Sequence, residues 1–513
     1  MTEQEWSLSD AQRVETVKRI ATSITNLSFS QGHSVAETVA ADAAATVEKK
    51  AYTVAKFESK TTTGYRPHNE TLKAYARKLS ELVLNVVKEK GQTQQGGISS
   101  DGKVLDLSGD REPLTKDTAE EALAPLFASN PAITTVRLST KSFDAECAEV
   151  AARGFSNVAA SLTDVDMSDV IAGRPEAQAL EALRIMTCSL QAAQLRALNL
   201  SDNALGEKGI RACAAALSGQ TGLQRLAFQN VGCSIRACQA VAELVQHSQE
   251  LRRLHLFNNM SGDEGAVAIA QILSRSPQME DFKMASSRVG SEGCIALAQS
   301  LQHSSCLTRL DLSDNPTDSE IGPALAEMLR GQKQLVALNL ADTSLEDQGI
   351  EAIAEALAAA APPLQELNLA LNSISPAGIP ALTHALQGMT ALRSLDLGEN
   401  ELEDDGAVQL APALQHLKQL QHLSLITNQI GTRGAMAVTQ AIAASCSDLK
   451  ELLLNGNQIS EEGVQRIQNT LKAAGKIDAL GPLDENEPDD AEDEGDEETD
   501  DLTEQLEKSA RIL

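Results

Sequence analysis

Aromatic side chains are nearly missing: one Trp, three Tyr and eight Phe make up 2% of 513 residues. A core built around large rings, as in most conventional enzymes, is thereby excluded. The 42% of apolar residues must instead be packed from Leu, Ala, Ile and Val. Apolar runs of about 18 residues, long enough to cross a bilayer, are missing as well, so no membrane insertion is expected. Positive charge is in deficit, with 43 Lys and Arg against 72 Asp and Glu and a net charge of -29. Such a surface repels nucleic-acid backbones and anionic membranes and favours a basic protein partner. The eight cysteines are sparse, and the opening MTEQEWSLSD has neither the basic nor the apolar region of a secretory leader. A reducing compartment, the cytoplasm, is the expectation.

Groupings that carry catalysis are also thin. The eight histidines are scattered, with His255 in a strand and His303 beside a helix end. Cys233 and Cys238 have no second pair at metal-ligand spacing, and no Walker-type glycine loop occurs. The expectation is a chain without metal or cofactor of its own and without its own active site.

What is present is a repeat. The residues that open successive apolar strand cores are Leu105, Val136, Val165, Leu198, Leu226, Leu254, Phe282, Leu310, Leu338, Leu367, Leu395, Leu423 and Leu452, mostly 28 or 29 residues apart. This period falls in the leucine-rich-repeat window. It predicts an α/β solenoid, a crescent of about 13 repeats, in which short parallel strands stack and a helix returns each turn along the outside. Asn203, Asn259, Asn315, Asn372, Asn400, Asn428 and Asn457 share one column at the strand exit. Buried amides there are expected to satisfy backbone groups of adjacent turns. The glycine pairs Gly206/Gly209, Gly262/Gly265 and Gly290/Gly293 are expected to permit the bend into each helix.

The flanks differ. Residues 1–90 read as a small all-helical module with apolar stripes at Val14, Val17, Ala21 and Ile24, a second helix from about Ser34 to Lys56, and a third at Leu72, Tyr75, Leu79, Leu82, Val83 and Val86. Residues 91–102 are polar, glycine-rich and expected as a linker, the repeats occupy 103–480, and 481–513 form a tail. Residues 484–501 hold thirteen acidic and no basic residues, a composition expected to be disordered.

Two departures from the repeat are candidate functional positions. In LAFQNVG the ladder column holds Val231, and the asparagine, Asn230, stands one residue earlier, where its side chain is expected to face solvent. The segment SDVIAGRPEAQ lengthens one interval to 33 residues and puts Arg174 on a loop at the same edge. A drifted repeat and a solvated arginine remain the alternatives for the two.

The first module resembles the plant WPP domain in Trp6, in AETVAADAAATVEKKAY and in LKAYARKLSELVLNVVK, although its motif reads Trp6-Ser7-Leu8 and lacks both prolines. With SDVIAGRPEAQALEALR, LRALNLSDNALGEKGIRA, LHLFNNMSGDEGAVAIAQIL and LLLNGNQISEEGV before the acidic tail, nearly the whole chain resembles the plant or green-algal Ran GTPase-activating proteins. That resemblance implies a partner, Ran in its GTP form, held at the loop edge of the crescent and stimulated in its own hydrolysis without an arginine finger. It also implies support of nucleocytoplasmic transport, a place at the nuclear envelope, and Ran-binding or envelope proteins as further partners. Asn230 would orient the GTPase switch region. Arg174, Asp169, Asp202 and Asn258 would bind the partner, to which GTP and magnesium belong. The reading of another class is a passive leucine-rich-repeat scaffold without effect on GTP turnover.

Overall fold

The computed structural model describes residues 97–99, 101–109, 111–128 and 132–487, and before them the helix Glu37–Glu58, two short strands and single positions around these. The acidic tail beyond residue 487, the Trp6-Ser7-Leu8 motif and residues 91–96 lie outside the described residues. The chain folds as two compact units, residues 1–113 with 136–141, and residues 114–135 with 142–513.

In the first unit Ala43, Ala44 and Val47 of the helix Glu37–Glu58 are buried with Ile20 and Val83, and Val17, Ala21 and Leu79 pack against them. Of these, Val17, Ala21, Leu79 and Val83 belong to the two apolar stripes expected from the sequence, and the helix Glu37–Glu58 falls within the second expected helix. Glu48 is buried among them because Arg13 neutralises it at 2.7 Å and the Tyr75 hydroxyl donates to it at 3.1 Å. The stretch expected as a linker contributes a strand, Gly97–Ile98, antiparallel to Val104–Asp106. A turn closed by the Gly102 N–H donating to the Ser99 carbonyl at 2.9 Å, with Gly102 at φ +71°, draws it in despite its polar composition.

In the second unit eleven three-residue strands, from Asp164–Asp166 to Glu451–Leu453, pair in parallel in sequence order. The register places Leu198 opposite Leu226, Leu226 opposite Leu254 and so on to Leu452, so the apolar residue of each turn meets its copy in the next. Each is nearly or fully buried, and each removes a side chain worth about 2 kcal/mol from water. Helices such as Gly262–Leu273 and Glu403–Leu414 return the chain, and among the described residues none is long and apolar enough to cross a membrane.

The asparagine ladder forms as expected. Asn315 donates to the Met284 and Leu312 carbonyls at 2.8 Å and accepts from the N–H groups of Ser287 and Val289 at 3.1 and 3.0 Å. A second line of caps joins the helix starts: Asp263 accepts from the Gly293 N–H, Asp347 from Ser375 and Asp404 from Gly434. It also corrects the glycine reading at one pair. Gly206 and Gly262 do turn the chain, at φ +52° and +59°, but a Cβ on Gly290 would stand 2.7 Å from the Asp263 carboxylate, so close packing selects that glycine. At the far end hydrogen bonding continues past residue 480. The Asn486 side chain accepts from the Asn457 N–H at 2.8 Å, extending the ladder by one asparagine.

Candidate functional site

Each strand of the array is followed, three residues on, by a residue with left-handed backbone. Asp169, Asp202, Asn230, Asn258, Ser286, Asp314 and Asp342 all lie between φ +48° and +58°. Asn and Asp tolerate this region better than other side chains. Each of these residues donates its N–H to a carbonyl of the next repeat, as Asn230 does to Phe257 at 2.7 Å. The ladder residue that follows turns inward. The left-handed residue therefore carries its side chain on the strand-exit edge.

This geometry changes the account of Asn230. The residue is exposed, as expected, but it is not a ladder asparagine that slipped by one place. It is the regular occupant of the left-handed column, and in the next repeat Asn258 and Asn259 fill both columns. The true substitution is Val231 in the ladder. There the Leu205 N–H, which a ladder amide would take, goes to the Val231 carbonyl at 3.0 Å.

Three of the expected site residues come together. Asn230 Nδ2 donates to Asp202 Oδ1 and Asn258 Nδ2 donates to Asn230 Oδ1, both at 3.2 Å, forming a relay across three repeats. The relay lines an open groove of about 720 Å³ with Met260, Ser286, Arg288 and Asp314. Asp169 is in the same column but buried, and Arg174 lies two repeats earlier; neither lines this groove.

Arg174 is not a freely solvated loop arginine. Its Nε donates to Ser142 Oγ at 3.1 Å, its terminal nitrogens reach the Ser142 carbonyl at 2.9 Å and Asp144 at 3.6 Å, and its side chain is 18% exposed. Asp144 caps the helix Ala145–Val158. The Cys147 N–H donating at 3.0 Å, with help from Arg174, holds its carboxyl below the usual aspartate range. Cys233 and Cys238 are buried with their sulfurs 3.4 Å apart, and that contact together with burial pushes the Cys233 thiol up. Among the described residues no group of three His, Cys, Asp or Glu side chains is arranged to hold a metal.

Sequence reasoning missed Met260, Ser286, Arg288 and Asp314. Their signal is visible in retrospect. The triplets SDN, QNV, FNN, ASS and SDN occupy equivalent positions, and reading them column by column separates edge residues from ladder residues.

Comparisons with known proteins agree with this architecture. Residues 4–96 match the WPP domain, and residues 194–212, 303–326, 360–382 and 388–411 match the Leucine Rich repeat. RAN GTPase-activating protein 1 of Arabidopsis thaliana is 43% identical over 155 residues, 30% of this chain and 29% of that protein. RAN GTPase-activating protein 2 of the same plant is 38% identical over 161 residues, 30% of each. The chain thus spans about three tenths of the length of these relatives. Among solved structures, an internalin from Listeria monocytogenes is 16% identical with a TM-score of 0.44, covering 72% of this chain and 89% of its own. The chain joins a WPP domain to a leucine-rich-repeat solenoid and, over the aligned stretch, is similar to the plant RAN GTPase-activating proteins.

Proposed function

We propose that this chain activates GTP hydrolysis by the small GTPase Ran. It binds the GTP form along the strand-exit edge, supplies no catalytic group of its own, and acts in the cytoplasm and at the nuclear envelope. The observation that carries this reading is the Asp202–Asn230–Asn258 relay, an exposed amide whose two ends are each held by a neighbouring repeat. A side chain fixed in this way can bind a mobile switch segment in one arrangement. Reducing the freedom of a catalytic group already present in the GTPase can lower a phosphoryl-transfer barrier by several kcal/mol.

The position of Arg174 supports a mechanism without an arginine finger. Its guanidinium is tied to Ser142 and Asp144, and reaching a nucleotide would require breaking those contacts. Its role is to brace the edge and assist binding, beside Asp169. GTP and magnesium stay with the partner. The acidic tail draws basic surfaces toward the crescent and raises the encounter rate in a salt-sensitive way.

Binding measured by calorimetry with Ran loaded with a non-hydrolysable GTP analogue and with GDP tests the partner assignment. The reading expects at least about tenfold preference for the GTP form, a difference of about 1.4 kcal/mol. Equal affinity for the two forms would instead describe a passive scaffold.

A further inference from the structure

We propose that Phe257, Met260 and Arg288 form a composite docking anchor beside Asn230, fitted to a GTPase surface that presents an apolar side chain flanked by a carboxylate. This inference rests on the proposed function and names what holds the partner there.

Phe257 is 37% exposed and Met260 53%, and both belong to the repeat that follows Asn230. In neighbouring repeats the position of Phe257 holds Ser201, Gln229, Ala285 and Ser313, so the ring is a local departure from small or polar residues. Its orientation is fixed: the Lys283 ammonium sits 4.6 Å from the ring centroid and is itself held by Asp311 at 2.8 Å. A rigid, half-exposed aromatic loses little freedom when covered, which is the property of residues that dominate binding energy. Met260 adds an adaptable apolar contact on the groove wall, and its backbone bridges to Ser234, just beyond Asn230.

Arg288 supplies the polar part. It is the one cation among the residues lining the groove, against the carboxylates of Asp202 and Asp314. Among the described residues no hydrogen bond or ion pair engages its guanidinium. Its backbone is left-handed, at φ +57°, where Gly232 stands in an equivalent column. An arginine kept in a conformation that disfavours it, with all its donors unspent, matches a partner carboxylate that the bidentate fork can take.

The anchor also connects to Asn230 directly, because the Phe257 carbonyl accepts the Asn230 N–H at 2.7 Å. A partner seated on the ring is one backbone hydrogen bond from the relay. The anchor therefore contributes to binding, and the relay to the reactive arrangement.

The test is the rate of single-turnover GTP hydrolysis by Ran, titrated with the wild-type chain and with Phe257→Ala, Met260→Ala, Arg288→Gly and Arg288→Glu. Each variant should raise the half-saturating concentration about tenfold, Arg288→Glu more than Arg288→Gly, and leave the saturating rate unchanged. Melting temperatures should not fall below the wild type, since all three side chains are exposed and glycine at position 288 relieves the left-handed backbone. Half-saturation unchanged in the Phe257→Ala/Met260→Ala double variant, with wild-type acceleration intact, overturns the anchor while the proposed function stands. A lower saturating rate at unchanged half-saturation assigns these residues to the reactive arrangement and also overturns it. A wild-type chain that neither binds nor accelerates overturns both.

Discussion

Asn258 Nδ2 donates to Asn230 Oδ1 at 3.2 Å, so the amide oxygen of Asn230 is held by the following repeat while one of its two N–H groups donates to Asp202 of the preceding one. The amide thus has one orientation at low cost, because both partners lie just three residues past strands fixed by the parallel sheet. Its left-handed backbone decides which substitution isolates this effect. Alanine at φ +51° carries about 1 kcal/mol of strain, whereas glycine, present in the same column at Gly456, carries none.

Asn230→Gly should therefore remove most of the acceleration, about tenfold or more in the saturating rate, with stability within about 0.5 kcal/mol of wild type. Asn230→Asp should lose as much, since it puts a second carboxylate beside Asp202 where a donor stood. Saturating rates and urea midpoints check both. An unchanged rate in Asn230→Gly would dissociate the relay from the activity.

Asn315→Ala should behave oppositely. Its amide answers two carbonyls and two N–H groups inside the solenoid, and its removal leaves them buried and unpaired. The expected loss is about 1–3 kcal/mol, read by urea unfolding, with hydrolysis at saturation near wild type below the transition.

Arg174→Ala should act on both properties. Loss of its charged hydrogen bonds to Ser142 and its contact with Asp144 is expected to cost about 1–2 kcal/mol and to speed hydrogen exchange around residues 142–144. Partner binding should weaken while the saturating rate changes little. A collapse of the saturating rate with unaltered binding would instead make Arg174 a catalytic group.

Acid should expose the cap at Asp144. Its carboxyl is held below the usual range chiefly by the Cys147 N–H, so it contributes stability that is complete above the unfolded-state value near about 4 and fades as pH falls through the lower folded-state value. Asp144→Asn should flatten the melting temperature against pH below about 4 relative to wild type. Parallel profiles for the two chains would rule that contribution out.

The array was legible because a 28- or 29-residue period admits few structures. The thirteen residues from Leu105 to Leu452, picked by spacing, all fall in observed strands, and the asparagine column closes the expected bonds. The site was legible in part. The exposure of Asn230 followed from its place in the strand exit, but the reason for an asparagine there lies in backbone dihedrals that spacing does not reveal. The tethering of Arg174 by Ser142 escaped notice for a related cause, since the two are 32 residues apart and meet only after the repeats stack. Nothing in the repeat spacing marks Phe257 and Met260, which the structure places on the outside.

Single-turnover GTP hydrolysis on Ran, with and without this chain at concentrations where the two bind, tests the central claim most directly. The account predicts strong acceleration by the wild-type chain and its loss in Asn230→Gly at undiminished saturation. Binding without any acceleration by the wild-type chain would contradict it.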